Sequence, residues 1–230
     1  MDVGELIVTD DVAARAAAWI AGAVTNILSE HERVSFALSG GTTPAAVYRA
    51  LADEAGVDWS RVDVYFVDER CVPRDDPDST ARLVLHALID RLSGPPPAVH
   101  RIEGEDADPG AAARRYEERL PDPLDVVVLG IGPDGHVGSL FPNDAAAREA
   151  ERRVVAVSDA PKPPPLRISL APRTLREARR TLVLARGAEL AWALRAVLEG
   201  PDDPHGLPAQ IVRRGTWIVD PAAAAELSRG

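Results

Sequence analysis

The chain has 230 residues, 46% of them hydrophobic, with 26 Lys and Arg set against 36 Asp and Glu for a formal net charge of −10. That length accommodates one α/β domain over residues 1–230 with a full core, with a small additional lobe at most. The acidic balance excludes nucleic acid and anionic membranes as partners of the general surface, because phosphate polyanions need a basic face, but it leaves room for a locally cationic pocket. Taken in chain order, the N-terminus shows no basic segment followed by an apolar run, and no apolar stretch is long enough to span a bilayer, so the expected location is cytoplasmic. A short apolar run at 6–8 precedes an Ala-rich helical pattern over 11–30. The next apolar run, 34–38, opens into Ser39-Gly40-Gly41-Thr42-Thr43-Pro44. There Pro44 fits the first position of a helix over 44–55 with Thr43 as its cap.

A third apolar run, 62–67, ends in Asp68-Glu69-Arg70, followed by the only cysteine, Cys71. One cysteine excludes an intrachain disulfide and a thiolate metal cluster, and Cys71 reads as a small filler beside the acidic pair. A helical pattern covers 79–92. The run 124–129 then delivers Gly130-Ile131-Gly132-Pro133-Asp134-Gly135-His136, where glycines allow close approach to a ligand and the imidazole is suited to proton transfer near neutrality. Ser139-Leu140-Phe141-Pro142 permits only a turn or two of helix, since proline ends it. Further apolar runs lie at 154–157 and 181–184, the first followed by the proline-rich stretch around Lys162, and a last helical pattern spans 187–199. Apolar runs alternating with helices predict a Rossmann-like parallel sheet covered on both faces, with ligands beyond the carboxyl ends of the strands.

Three strand-end loops carry the chemistry. Ser39 to Thr43 lead into a helix N-terminus, whose N–H groups and dipole suit a phosphate, although an ordinary Gly-rich turn has the same composition. Asp68, Glu69 and Arg70 place two carboxylates and a guanidinium at the end of a buried strand, which is costly unless they pair locally or serve a ligand. Asp134 and His136 form a candidate proton-transfer pair. Gly130, Gly132 and Gly135 also fit the dinucleotide fingerprint; the proline at 142 leaves only a short helix for it, while Asp159 as acidic partner keeps a nicotinamide site open as an alternative. A transporter ATPase reading of Leu38-Ser39-Gly40-Gly41 fails for want of a G-x-x-x-x-G-K-[ST] loop. The only lysine among the basic residues, Lys162, stands where a compact mobile ammonium is useful or survives by chance.

Together with Asp75-Asp76-Pro77-Asp78-Ser79 and Lys162-Pro163-Pro164-Pro165, these motifs occur in an order that resembles the 6-phosphogluconolactonase family, from about residue 34 to Trp217-Ile218-Val219-Asp220. The resemblance implies a cofactor-free, metal-independent hydrolase opening 6-phospho-D-glucono-1,5-lactone, on a sheet like that of glucosamine-6-phosphate deaminases and ribose-5-phosphate isomerases. It implies His136 as general base, Asp134 as its orienting partner and Arg70 as oxyanion donor. Ser39, Gly40, Gly41, Thr42, Thr43, Asp68, Glu69, Lys162 and Arg167 are then expected to bind the substrate, as a monomer or small homo-oligomer. The Asp-Gly-His loop is shared with the deaminases, so an aldose-ketose isomerase or deaminase is the rival reading. Ser139-Leu140-Phe141-Pro142 and Arg70 favour the lactonase, because the deaminases carry an Asn-Glu-Pro type sequence and a tyrosine there. A sugar-phosphate sensor on the same fold would need a DNA-binding module for which the chain has no room. Thr80 and Ala81 depart from the usual Asn-Tyr, and Gly138 and Asn143 from the usual alanine and glycine, the latter two changes being expected to be tolerated.

Overall fold

The computed structural model describes residues 3–228. Seven strands form a parallel sheet: β1 (Leu6–Val8), β2 (Val34–Leu38), β3 (Val62–Phe66), β5 (Ala98–Val99), β6 (Val126–Gly130), β9 (Arg180–Ala185) and β10 (Thr216–Val219). Their order is β1-β10-β9-β6-β2-β3-β5. The central strands are predominantly apolar because helices cover both faces: β2, Val-Ser-Phe-Ala-Leu, is buried at every position. The helices are α1 (Val12–Glu30), α2 (Thr42–Ala52), α3 (Thr80–Ala87), α4 (Pro109–Arg119), α5 (Pro172–Glu177) and α6 (Ala191–Glu199).

Local chemistry starts several of them. The Asp11 carboxylate accepts from Ala14 N at 3.0 Å to cap α1, and Asp108 does the same for Ala111 at the start of α4, with Pro109 in the first turn. α1 corrects one expectation, since its 19 residues are long and apolar enough to cross a bilayer. Its buried side, including Ala16, Ile20 and Val24, instead joins the core cluster with Phe36 and Ile218.

Two further expectations are revised. Asp68-Glu69-Arg70 is a strand, β4 (Asp68–Arg70), and the run 154–157, β7 (Val154–Val157), leaves the parallel sheet. Both pair antiparallel with β8 (Arg167–Leu170) in a separate sheet of order β4-β8-β7. The apolar pattern of 154–157 does not reveal which sheet it joins, because partner and direction are set by tertiary contacts. The placement also removes the dinucleotide reading: β7 is not the second strand of a parallel unit, and no α-helix starts at Gly135.

The strand order locates the site. From β2 the chain moves outward through α2 to β3 and β5, whereas from β6 it moves the other way to β9 and β10. The neighbours β2 and β6 therefore flank the topological switch point, where a crevice opens beyond the carboxyl ends of the strands. Leu38 is in register with both Phe66 and Val128, so the segments that follow β2, β3 and β6 emerge at the same end of the sheet.

Candidate active site

A cavity of about 240 Å³ occupies that crevice. The 39–44 segment, the 130–138 loop, Asp68, Arg70, Lys162 and Arg167 line it, with Leu184 and Leu190 on one side. Of the expected site residues, only Glu69 and Asp134 do not face it.

The floor is the start of α2. Its helix begins at Thr42, two residues before the position expected from Pro44, and its N-cap is Gly41 at φ +112° rather than Thr43. A glycine there takes the left-handed backbone without strain and offers no side chain to the first turn, so no side-chain hydrogen bond caps the helix. The N–H groups of an 11-residue helix are thus left at the cavity with its positive dipole end. Tyr48 steadies the loop by donating its hydroxyl to Ser39 O at 2.8 Å.

The 130–138 loop presents the imidazole. His136 Nδ1 lies 2.5 Å from Asp134 Oδ1, and the same oxygen accepts from His136 N at 3.2 Å. Burial pushes the Asp134 carboxyl up, but its bond to His136, the imidazolium charge and the backbone N–H groups outweigh this and hold it below the usual aspartate range. With Nδ1 committed, Nε2 is the nitrogen left for chemistry. Phe141 supports the ring at a centroid distance of 4.8 Å, and the Arg167 guanidinium lies 5.6 Å from the same phenyl centroid. Phe141 thus joins the basic and cationic parts of the site, a role that the sequence reading did not assign. Asn143, at φ +62°, occupies left-handed backbone that asparagine accepts more readily than most residues, which explains why it serves in place of glycine.

The opposite wall is the β4/β8 pair. Side chains alternate along β4, so Asp68 and Arg70 face the cavity and Glu69 faces away. Asp68 is buried and accepts from Ser139 Oγ at 2.7 Å. Arg70 stands directly across from Arg167, and like charges in that register repel unless an anion lies between them. Burial first, and then the charge of Arg70, hold Arg167 below the usual arginine range. Arg167 donates through Nε to Pro164 O at 3.1 Å and through Nη2 to Lys162 O at 2.9 Å, bracing the loop that carries exposed Lys162.

Glu69 is a correction. It is expected to bind substrate, but its buried carboxylate accepts from Arg70 N, Ser79 Oγ, Thr80 N and Ala81 N at the start of α3. Burial pushes this carboxyl up while those donors pull it back. Thr80 performs this task with its backbone, and its hydroxyl is, among the described residues, one of three buried side-chain atoms without a protein partner, the others being Ser39 Oγ and Arg70 Nε. Cys71 is half-buried and pushed up to about 11 by burial and then by the nearby Glu69 charge, which leaves it a poor nucleophile. Among the described residues, no group of three His, Cys, Asp or Glu side chains comes together to hold a metal ion.

A parallel α/β sheet with an anion-suited helix start, facing cations and a carboxylate–imidazole pair at its switch point defines a class of enzymes acting on small phosphorylated ligands. The family described as glucosamine-6-phosphate isomerases/6-phosphogluconolactonase matches residues 8–219, and the chain belongs to it. A 6-phosphogluconolactonase of Mycobacterium tuberculosis is 36% identical over 95% of this chain and 95% of its own. The crystal structure of 6-phosphogluconolactonase from Thermotoga maritima superposes with a TM-score of 0.83 at 29% identity, covering 94% of this chain and 99% of that one. A monomeric glucosamine-6-phosphate deaminase reaches a TM-score of 0.82 at 23% identity over 98% of this chain and 100% of its own, a likeness of fold alone.

Proposed function

We propose that the protein hydrolyses 6-phospho-D-glucono-1,5-lactone to 6-phospho-D-gluconate, the lactone-opening step of the oxidative pentose phosphate pathway. The observation that carries this reading is His136, tied to Asp134 through Nδ1 while its ring lines a cavity with an uncapped helix start and three cationic side chains. Relatives at about one-third identity along nearly the whole chain bear this activity in their names.

The chemistry of a lactone assigns the roles. Water attacks the ring carbonyl and gives its proton to His136 Nε2, general-base help worth on the order of 10²–10⁴-fold. Asp134 keeps the proton on Nδ1 and stabilises the imidazolium that forms. The carbonyl oxygen becomes an alkoxide beside Arg70, where a charged donor of this kind contributes roughly 3–4 kcal/mol. Collapse expels the ring oxygen, which takes the proton back from His136, and the product acid ionises. The backbone N–H groups of Gly40 to Thr43, the Ser39 hydroxyl and the mobile ammonium of Lys162 hold the 6-phosphate, while Arg167 keeps the Lys162 loop in place. Asp68, with Ser139 donating to one oxygen, turns its carboxylate to sugar hydroxyls. The reading carries with it a cytoplasmic enzyme, a monomer or small homo-oligomer, whose partner is a small sugar phosphate lactone rather than nucleic acid or membrane.

The rival within the family is an isomerase or deaminase, in which a carboxylate such as Asp68 removes a carbon-bound hydrogen. Freshly generated phosphogluconolactone, followed by acid release in weak buffer, separates the two when paired with glucosamine 6-phosphate in D₂O. The expected result is one acid equivalent per lactone, no ammonia and no deuterium at carbon 2. Deuterium incorporation without lactone opening overturns the proposal and moves the chemistry from His136 to Asp68.

A further inference from the structure

Arg70 is held in the cavity by little of its own. Its Nε is buried without a protein partner, and among the described residues its guanidinium has one protein hydrogen bond, from Nη1 to Asp78 O at 2.7 Å. Asp78 belongs to the segment joining β4 to α3, so the position of that carbonyl depends on what anchors the start of α3. The anchor is Glu69. One carboxylate oxygen accepts from Arg70 N at 2.8 Å and Thr80 N at 2.6 Å, the other from Ser79 Oγ at 3.0 Å and Ala81 N at 2.8 Å. Ser79 Oγ in turn accepts from Arg82 N at 3.2 Å and caps the helix. A carboxylate with four donors at the positive end of an eight-residue helix binds strand to helix far more firmly than a neutral group of the same shape. Glu69 therefore closes the 70–79 segment into a loop in which the carbonyl just before the Ser79 cap is the one that Arg70 grips.

We infer that Glu69 is a positioning residue for Arg70: it never meets the substrate, but by fixing the start of α3 it sets the Asp78 carbonyl that aims the guanidinium at the reacting carbonyl. This rests on the lactonase reading of the cavity. Gln at this position keeps the shape and replaces one acceptor oxygen with an amide that faces N–H donors, so the loop shifts and the guanidinium with it. A displacement of about 1 Å in a catalytic group costs on the order of 10²-fold.

A double-mutant cycle tests the inference with the wild type, Glu69→Gln, Arg70→Ala and the double variant, each assayed for kcat and KM on phosphogluconolactone. Glu69→Gln is expected to lower kcat by about 10- to 100-fold with little change in KM, and to cost less than about twofold once Arg70 is alanine. Equal losses in both backgrounds overturn the inference, because a merely structural Glu69 weakens the fold whatever stands at 70. Should Glu69→Gln fail to fold, Ser79→Ala removes one of the four donors, and the same dependence on Arg70 is expected at smaller size. A wild-type protein inert on the lactone sinks the lactonase reading. The inference then falls with it, whereas equal losses in a protein that opens the lactone overturn the inference alone.

Discussion

His136 and Asp134 divide the work of one proton between two atoms. Because Asp134 Oδ1 accepts from both the backbone N and Nδ1 of His136, the ring has one orientation and one free nitrogen. Replacing His136 with Ala is expected to lower lactone turnover by about 10²–10⁴-fold while 6-phosphogluconate still binds, as read by steady-state kinetics and calorimetry. Turnover like that of the wild type removes His136 as the base. Asp134→Asn is expected to cost on the order of 10²-fold or more in kcat through the wrong tautomer. It also carries a pH signature. The folded Asp134 titrates below the unfolded aspartate value of about 3.9, so its contribution to stability is complete above that value and is lost as pH falls through the depressed folded one. Chemical denaturation of wild type and Asp134→Asn is therefore expected to differ near neutrality and to converge in strong acid. A gap that stays constant across that range contradicts the folded ion pair.

The elements matter through their ends. β2 and β3 stop in register and β6 ends just beyond them, and each hands over to a segment that turns into the crevice: a helix start, a strand of the second sheet, and a glycine loop. In that loop Gly132 is required by space. A Cβ there would lie 2.0 Å from His136 Cε1, 2.1 Å from Nδ1 and 2.8 Å from Asp134 Oδ1. Gly132→Ala is expected to push the ring off Asp134 and cut kcat by on the order of 10²-fold or more, with the fold retained by circular dichroism. Activity near wild type in that variant shows that the loop has another way to seat the imidazole.

Taken together, the fold sets a cationic crevice into an acidic protein of net charge −10. Arg70 and Arg167 face each other across β4 and β8, and α2 adds its positive end, an arrangement whose self-repulsion an anionic substrate relieves, with its phosphate at α2 and Lys162 and its developing oxyanion at Arg70. Binding energy from that remote phosphate positions the lactone, so gluconolactone lacking the phosphate is expected to show a kcat/KM lower by about 10²-fold or more. The preference for the phosphorylated lactone is expected to narrow as salt is raised, since screening weakens the charge pairing. Equal specificity constants for the two lactones remove the phosphate cradle.

The β2, β3 and β6 runs, the helix starting near Pro44 and the Asp134/His136 loop were legible from order alone, because their signals are local: apolar period, proline and glycine at fixed offsets, and strand-end chemistry. The motifs also carried the family. What order alone left undecided was partnership. Val154 to Val157 and Asp68 to Arg70 look like an ordinary strand and a charged loop, and only the folded chain pairs them through β8 in a second sheet. That pairing turns Asp68 and Arg70 into the crevice and Glu69 away from it toward α3, since neighbouring side chains on a strand point to opposite faces. Phe141 between His136 and Arg167, and the hold of Ser139 on Asp68, belong to the same kind of fact. A local pattern fixes what a segment becomes, whereas the face each side chain presents depends on which strand lies beside it, and strands far apart in sequence meet only in the fold.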